Sequence, residues 1–215
     1  TIHRPDAPTE ADNDTKGEAA SMIIDTHYHM MPRLGRGTAR VVAQWTFETA
    51  NRLGIDLDFE TLAEQVREDF ADPDGEKLLG KMDADGIDIT VFCAVDNAAV
   101  KGSTLEVADA VNEQTGAIAG RHPDRFIGLA GVDPRRPEAP ELMRRCLDGY
   151  GLKGLKLHPD HGYYPNGEEA YRLYEIVQEA GGIVLIHTGP IIPPGKGGTY
   201  AHPLLLDPLA ADFPG

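Results

Sequence analysis

The feature of this sequence that most constrains its fold is a regular alternation of strand-like and helix-like segments. Short apolar runs, several rich in β-branched residues, recur along the chain, and segments with helical spacing or capping residues separate them. The apolar runs are Met22–Thr26, Ile87–Val95, Phe126–Val132, Leu152–His158 and Ile183–His187. The helical segments are Lys77–Ala84, 103–119, Pro137–Leu147, 166–180 and Leu204–Phe213. Strands that alternate with helices in this way predict a parallel sheet with right-handed crossover connections.

Two architectures have such a sheet, the doubly wound open sheet and the (β/α)8 barrel. No glycine-rich turn follows the first strand, so a nucleotide-binding open sheet loses its usual support. Polar residues instead crowd the carboxyl ends of the strands, where barrel enzymes build their sites. These residues are His27, His29, Asp96, Asp133, His158 and His187. We therefore predict an α/β fold of the (β/α)8 TIM-barrel type, of which only about five βα units are present, an incomplete barrel.

The chain divides into a short tail and one larger unit. Residues 1–20 are polar and acidic, contain no apolar core of a secretory signal, and are predicted to be a disordered acidic tail. Residues 21–215 are predicted to be the N-terminal portion of a barrel. Within them, residues 33–75 are less regular, and we interpret them as an insertion after the first strand that serves as a lid or pocket wall.

Composition excludes several classes of partner. The net charge of −15 argues against nucleic acid and against an anionic membrane, because both require a basic surface. No apolar stretch approaches the roughly 18 residues that cross a bilayer. The two cysteines, Cys93 and Cys146, are far apart, which disfavours a disulfide framework and thiolate metal binding. We expect a cytoplasmic protein that acts on a small-molecule substrate.

The first strand ends in the sequence "IDTHYH", which places His27 and His29 two residues apart. Side chains alternate faces along a strand, so both imidazoles and Asp25 point the same way. Two such imidazoles can hold one metal ion, and Asp25, one step deeper, can accept a hydrogen bond and orient the site. The alternative is a pair of rim histidines with ordinary hydrogen bonds.

Two further strands end in histidine, His158 in "GLKGLKLHP" and His187 in "VLIHTG". Alternation places Lys156 and His158 on the inner face of their strand, opposite two leucines that suit the helix-facing side. Histidines at the ends of three strands are hard to explain as core residues. His161 and His202 lie in loops near the strand tips, where positions at the mouth are one alternative and solvated loop positions are favoured.

In this order, "IDTHYH", "RFIGLAGVDP", "GLKGLKLHP", "VLIHTG" and "PLLLDPLAADFP" resemble the amidohydrolase superfamily over about Met22 to Gly215. The nearest branch is that of aminocarboxymuconate-semialdehyde decarboxylase and related metal-dependent hydrolases. The resemblance implies a (β/α)8 barrel with one divalent metal, Zn2+ or alternatively Mn2+. It implies that His27, His29 and His187 are metal ligands and that His158 lines the substrate pocket. Lys156 matches the carboxylated lysine of binuclear relatives, a role that this branch usually lacks.

The family pattern continues beyond the last residue of this chain, with a strand ending in an acid–base histidine and a metal-binding aspartate. Five strands cannot close an eight-stranded barrel, so the first and fifth strands are expected to be open edges. We favour a fragment of a longer protein. The alternatives are that another chain supplies the missing units, or that a half-barrel forms a homo-oligomer through its exposed edges.

The predicted activity is hydrolysis of a small carboxylate, amide or lactone-like substrate by a metal-activated water, with His158 and Asp25 as candidate catalytic residues. His158 is a poor substitute for the missing base, so we expect this chain alone to bind metal weakly and to turn over poorly. Two alternatives stay open. One is non-oxidative decarboxylation on the same metal site, and the other is a non-catalytic metal-binding half-barrel or interaction module.

Overall fold

The strands of the protein form one parallel sheet. A computed structural model describes residues 22–29, 36–96, 102–189 and 197–214. The strands are β1 (Ile24–Tyr28), β2 (Ile89–Cys93), β3 (Phe126–Gly131), β4 (Gly154–Leu157) and β5 (Ile183–Ile186). Each predicted apolar run therefore contains a strand, although the strands are shorter than the runs because the run ends turn into loops.

Each strand pairs with the next one in the chain, in the order β1-β2-β3-β4-β5. The register pairs Asp25 with Thr90 and Lys156 with Leu185, and all four strand pairs are parallel. A doubly wound sheet would reverse its strand order, whereas a barrel keeps it. The arrangement confirms the predicted incomplete barrel, and it brings the carboxyl ends of all five strands to one edge of the sheet.

Helices connect the strands and cover one face of the sheet. They are α1 (Arg36–Arg52), α2 (Phe59–Phe70), α3 (Glu76–Asp85), α4 (Leu105–Arg121), α5 (Ala139–Arg144), α6 (Glu168–Glu179) and α7 (Asp207–Asp212). Gly86 ends α3 with a φ of 69°, a left-handed conformation that glycine adopts without strain. Thr104 caps α4 by accepting a hydrogen bond from the Val107 N–H. The helix predicted over 103–119 therefore begins at Leu105, two residues later than expected.

The main hydrophobic core lies between the sheet and the helices. Leu155 and Leu157 of β4 are buried in it together with Leu142 of α5 and Leu173 of α6. Lys156, between the two leucines, is only 2% exposed. Because side chains alternate along a strand, the Lys156 side chain points away from the two leucines, as predicted. It therefore lies on the concave face of the sheet, opposite the helices.

The predicted insertion at 33–75 contains a helix pair from residue 36 onward. Small and branched residues, Ala39 and Ala43 of α1 with Ala63 and Val66 of α2, form a separate buried cluster. The pair therefore packs largely on itself, and its role as a lid stays a prediction. The predicted disordered tail at 1–20 lies outside the described residues, as does most of the 189–200 loop.

Both edge strands of the sheet expose apolar side chains. Ile24 of β1 and Ile183 and Val184 of β5 are exposed, whereas the β3 strand in the middle is almost entirely buried. This pattern matches the expectation of open edges, and association through them stays a prediction. Among the described helices, none has the length and apolar character required to cross a bilayer.

Candidate metal centre

The imidazoles of His27 and His29 converge at the carboxyl end of β1. Their Nε2 atoms lie 2.9 Å apart and their ring centroids 4.7 Å apart. With metal–nitrogen bonds of about 2.0–2.1 Å, two nitrogens at this separation would subtend an angle of about 90° at one ion. The pair predicted from the sequence therefore presents two nitrogen donors at a spacing that fits a single cation.

The protonation state of these rings also suits a metal. Burial first, and then the charges of the neighbouring His158 and Lys156, lower the pKa of His29 to about 3. Burial, followed by the charge of Lys156, also lowers the pKa of His27. Both imidazoles are thus held in the neutral form, which is the form that has a lone pair for a cation.

Asp25 supports the end of β1. Its Oδ1 accepts a hydrogen bond from the backbone N–H of His27, at 3.1 Å. The pairing between β1 and β2 is irregular between Asp25 and Tyr28, so this bond holds the strand end where the ladder is interrupted. The contact fits the orienting function expected of Asp25, and its catalytic role stays a prediction.

His187 ends β5 on the other side of the mouth. Its Nε2–H donates to the carbonyl oxygen of Gly189 at 3.1 Å, which leaves Nδ1 with a free lone pair. The ring stacks on that of His158, with centroids 5.2 Å apart and an interplanar angle of 16°. The His158 ring in turn lies 5.6 Å from that of His29. The structure thus brings His27 and His29 into direct contact, whereas His187 is joined to them only through His158. Among the described residues, the three predicted ligands do not form a group whose ligand atoms all lie within 4.8 Å of one another.

Lys156 lies beneath these rings, on the inner face of β4. Its Nζ is 3.1 Å from His27 Nε2, and burial lowers its pKa from 10.5. A buried lysine without an ion pair is costly unless its amine has a hydrogen-bond partner, which His27 provides here. An ordinary buried or rim lysine is favoured here over a carboxylated one, and the contact with His27 describes a free amine.

The sequence reasoning missed the turn that follows β4. His158, Asp160 and His161 lie on or beside the 3₁₀ turn Pro159–His161, with ligand atoms all within 4.8 Å of one another. In the described part of the chain this is the only group of three such residues. His161 takes the less favoured of its two predicted positions, at the mouth: it is half-buried and stacks on His158 with centroids 5.2 Å apart. The spacing of "HPDH" was the available signal, because a tight turn brings residues three apart together.

The two aspartates that follow β2 and β3 have a structural role. Asp96 accepts two hydrogen bonds from the Arg136 guanidinium, at 2.6 and 2.8 Å, and one from the Asp133 N–H. Asp133 accepts from the Arg135 guanidinium at 2.7 and 2.9 Å. Because each carboxylate is engaged by an arginine, these groups are poor candidates for the acid–base chemistry that their position suggested.

A small recess opens among these elements. It is lined by Asp96, Val132, Asp133, Lys156, His158 and Tyr163. The Tyr163 hydroxyl accepts a hydrogen bond from the His158 N–H at 2.8 Å, which fixes the point where β4 passes into the turn. The rings and the lysine therefore share one concave surface at the carboxyl ends of the strands, the usual site of barrel enzymes.

Comparison with known families agrees with this arrangement. The family model described as Amidohydrolase matches residues 24–215, which includes every strand and every histidine of the site. The chain belongs to this family. The resemblance predicted from the ordered motifs is thereby confirmed.

Solved structures share the fold of this amidohydrolase chain. A 5-carboxyvanillate decarboxylase from Novosphingobium aromaticivorans, solved with manganese and a nitrobenzoic acid, matches with a TM-score of 0.58 and 23% identity over 92% of this chain and 58% of its own. The 5-carboxyvanillate decarboxylase from Sphingomonas paucimobilis matches with a TM-score of 0.60 and 18% identity, over 90% of this chain and 65% of its own. A 2,6-dihydroxybenzoate decarboxylase from Rhizobium matches with a TM-score of 0.55 and 18% identity, over 86% of this chain and 55% of its own. The amidohydrolase chain thus spans less than two thirds of each.

Proposed function

We propose that this protein belongs to a metal-dependent enzyme that removes carbon dioxide from a small aromatic or unsaturated carboxylic acid without oxidation. The observation that carries the proposal is the convergent pair of neutral imidazoles, His27 and His29, beside the buried amine of Lys156. The similar structures support the substrate class, because the three described above are decarboxylases of hydroxylated aromatic acids.

The residues at the mouth fit a divalent cation. His27 and His29 would hold it through Nε2. His187, the third predicted ligand, lies behind His158 and would have to approach the pair to complete the set. A bound cation would act as a Lewis acid on the oxygen atoms of the substrate. The 90° spacing of the two nitrogens suits an ion with octahedral or five-fold coordination, so Mn2+ and Zn2+ are both proposed.

The side chains account for the remaining requirements of decarboxylation. The reaction breaks the bond to the carboxylate carbon, releases carbon dioxide and returns a proton to the carbon left behind. Lys156 provides positive charge for an anionic substrate, and both ring nitrogens of His158 lack a hydrogen-bond partner. His158 can therefore carry the returning proton at Nε2, while its stacking on His187 fixes the ring.

Hydrolysis of an amide or lactone is the second candidate, and a specific observation favours it. Oδ1 of Asp160 is buried, lacks a hydrogen-bond partner, and lies 3.3 Å from His158 Nδ1. A carboxylate behind an imidazole is the arrangement by which a histidine acts as general base toward water. The two reactions differ in their products, so one assay can separate them.

The test reconstitutes the purified chain with Mn2+ or Zn2+ and supplies hydroxylated benzoic acids, muconate-type acids, lactones and amides. We expect slow, metal-dependent release of carbon dioxide, absent in a His27→Asn/His29→Asn double variant and retained in His122→Asn, whose ring lies at the opposite end of the sheet. Ring opening or amine release without carbon dioxide would select hydrolysis. Bound metal with no turnover of any substrate would contradict both and favour a non-catalytic module.

A further inference from the structure

A second group of metal-type donors lies beside the imidazole pair. Three residues of the turn after β4, His158, Asp160 and His161, each offer one ligand atom, and these atoms all lie within 4.8 Å of one another. None of the three belongs to the His27, His29 and His187 set. We propose that this turn is a second cation site, specific for a zinc-class transition metal.

The unpartnered atoms of the turn point to a missing ligand. The Asp160 side chain is only 4% exposed, and the one donor near its Oδ1 is His158 Nδ1, at 3.3 Å, which forms no well-aligned hydrogen bond by strict criteria. The His158 side chain is 11% exposed, and both of its ring nitrogens are buried without a well-formed hydrogen bond. A buried carboxylate oxygen left without a partner is costly, and native proteins rarely leave such groups empty. Something other than the described side chains is therefore expected to satisfy these atoms.

The spacing within the turn favours a cation. His158 Nδ1 and Asp160 Oδ1 lie 3.3 Å apart, longer than a typical hydrogen bond between these groups. Nitrogen and oxygen ligands of one zinc ion, with bonds of about 2.0–2.2 Å, lie at about this separation. The pair is thus spaced as two ligands, and His161, stacked on His158, offers a third donor within 4.8 Å of both.

The chemistry of the donors selects the class of metal. Two imidazoles and one carboxylate form the set that binds zinc in many open sites, with a fourth position left for water or substrate. Hard cations such as Ca2+ and Mg2+ prefer all-oxygen sets. The charge of the nearby Arg135 is balanced by Asp133 at 2.7 Å, so the carboxylate of Asp160 remains available to a cation.

The turn is built to hold this geometry. Pro159 fixes the backbone at the start of the 3₁₀ turn, and Gly162 ends it with a φ of 99°. Arg135 Nη1 donates to the carbonyl oxygens of His161 and Gly162 at 3.3 and 3.4 Å. Because the backbone is held on both sides, the three donors require little rearrangement to bind. With Nδ1 of His158 directed at the second site, Nε2 stays free toward the mouth.

The test counts Co2+ ions bound by the full chain after chelation, by native mass spectrometry and by the visible absorption of Co2+. We expect two ions per chain. Asp160→Asn and His161→Asn should each lose one ion, or weaken its Kd by at least about tenfold. The His27→Asn/His29→Asn double variant should also lose one ion and keep the other. Circular dichroism checks that each variant is folded.

Matched controls come from the turn before β3, at the opposite end of the sheet. Asp124→Asn and His122→Asn make the same chemical changes there and should keep both ions. If Asp160→Asn and His161→Asn bind as many ions as the parent chain, with Kd values within twofold, the second site is refuted. The result is independent of turnover, so failure of the decarboxylase assay would leave this inference intact.

Discussion

The amine of Lys156 donates a hydrogen bond to the lone pair of His27 Nε2, since the two nitrogens lie 3.1 Å apart. The same Nε2 lies 2.9 Å from His29 Nε2 and is the atom that a metal would use. That lone pair can accept a hydrogen bond from the lysine or bind a cation, but it cannot do both. The buried amine therefore competes with the metal, both for the nitrogen and through its charge.

Replacing Lys156 by methionine should tighten metal binding at the imidazole pair. The substitution keeps the length and apolar stem of the side chain and removes both the competing donor and a positive charge. We expect the Kd for Co2+ to fall by at least about fivefold, since even a weak charge repulsion at this distance is worth about 1 kcal/mol. Titration in an Asp160→Asn background, where only the pair binds, measures the effect.

The matched control for this change is Lys153→Met, at the opposite, exposed end of the same segment. It should leave the Kd unchanged. Weaker binding in Lys156→Met than in Lys153→Met would mean that the lysine supports the metal site, as a bridging ligand would, and that the competition described above is wrong.

The main features of the fold could be predicted from the sequence. Strand alternation alone places His27 and His29 on one face, and their Nε2 atoms do converge. The Gly86 cap and the inward direction of Lys156 also follow from local rules. These features depend on neighbours within a few residues, for which periodicity and capping residues are sufficient guides.

What the sequence did not reveal depends on partners distant in the chain. Asp96 and Arg136 are 40 residues apart, and no local pattern marks them as a pair. A solvated position was favoured for His161 because it lies in a loop near a strand tip, but the 3₁₀ turn folds it back onto His158. The direction of a side chain after such a turn depends on the backbone of the whole loop, which periodicity does not describe.

Acid should destabilise the metal-free chain through His29. Burial lowers the pKa of this ring in the folded state to about 3, below its ordinary value of 6.5. The unfolded state therefore takes up a proton first as the pH falls. The contribution of the neutral His29 ring to the free energy of unfolding is fully present above pH 6.5. It should be lost progressively as the pH falls from 6.5 to about 3, by up to about 1.4 kcal/mol per pH unit.

Urea unfolding in the presence of a chelator, at pH 7.5, 6.0 and 5.0, measures this loss. His29→Gln should make the free energy of unfolding less dependent on pH than in the parent chain. His202→Gln, at an exposed ring, is the matched control. An identical pH dependence in the parent and His29→Gln chains would show that the His29 ring is not held neutral by burial.

The two cysteines should be inert in the folded chain. Burial raises the pKa of Cys93 to about 11 and that of Cys146 to about 12. The thiolate is the reactive form, so at pH 8 almost none is available and the buried sulfur is not accessible. A disulfide-exchange reagent should label neither thiol within minutes in buffer and both in urea. Rapid labelling of either one under native conditions would contradict the burial on which this prediction depends.

Removing Asp96 should cost more stability than removing any exposed carboxylate. Asp96 is 2% exposed and forms a paired contact with Arg136, which is 11% exposed. Asp96→Ala leaves that guanidinium buried without its counter-charge and leaves the Asp133 N–H without an acceptor. A loss of about 3–5 kcal/mol is expected for breaking a buried ion pair in this way. Glu64→Ala breaks the exposed pair with Arg67 and should cost less than about 1 kcal/mol. Urea unfolding midpoints compare the two, and equal losses would mean that the Asp96–Arg136 pair does not hold the ends of β2 and β3 together.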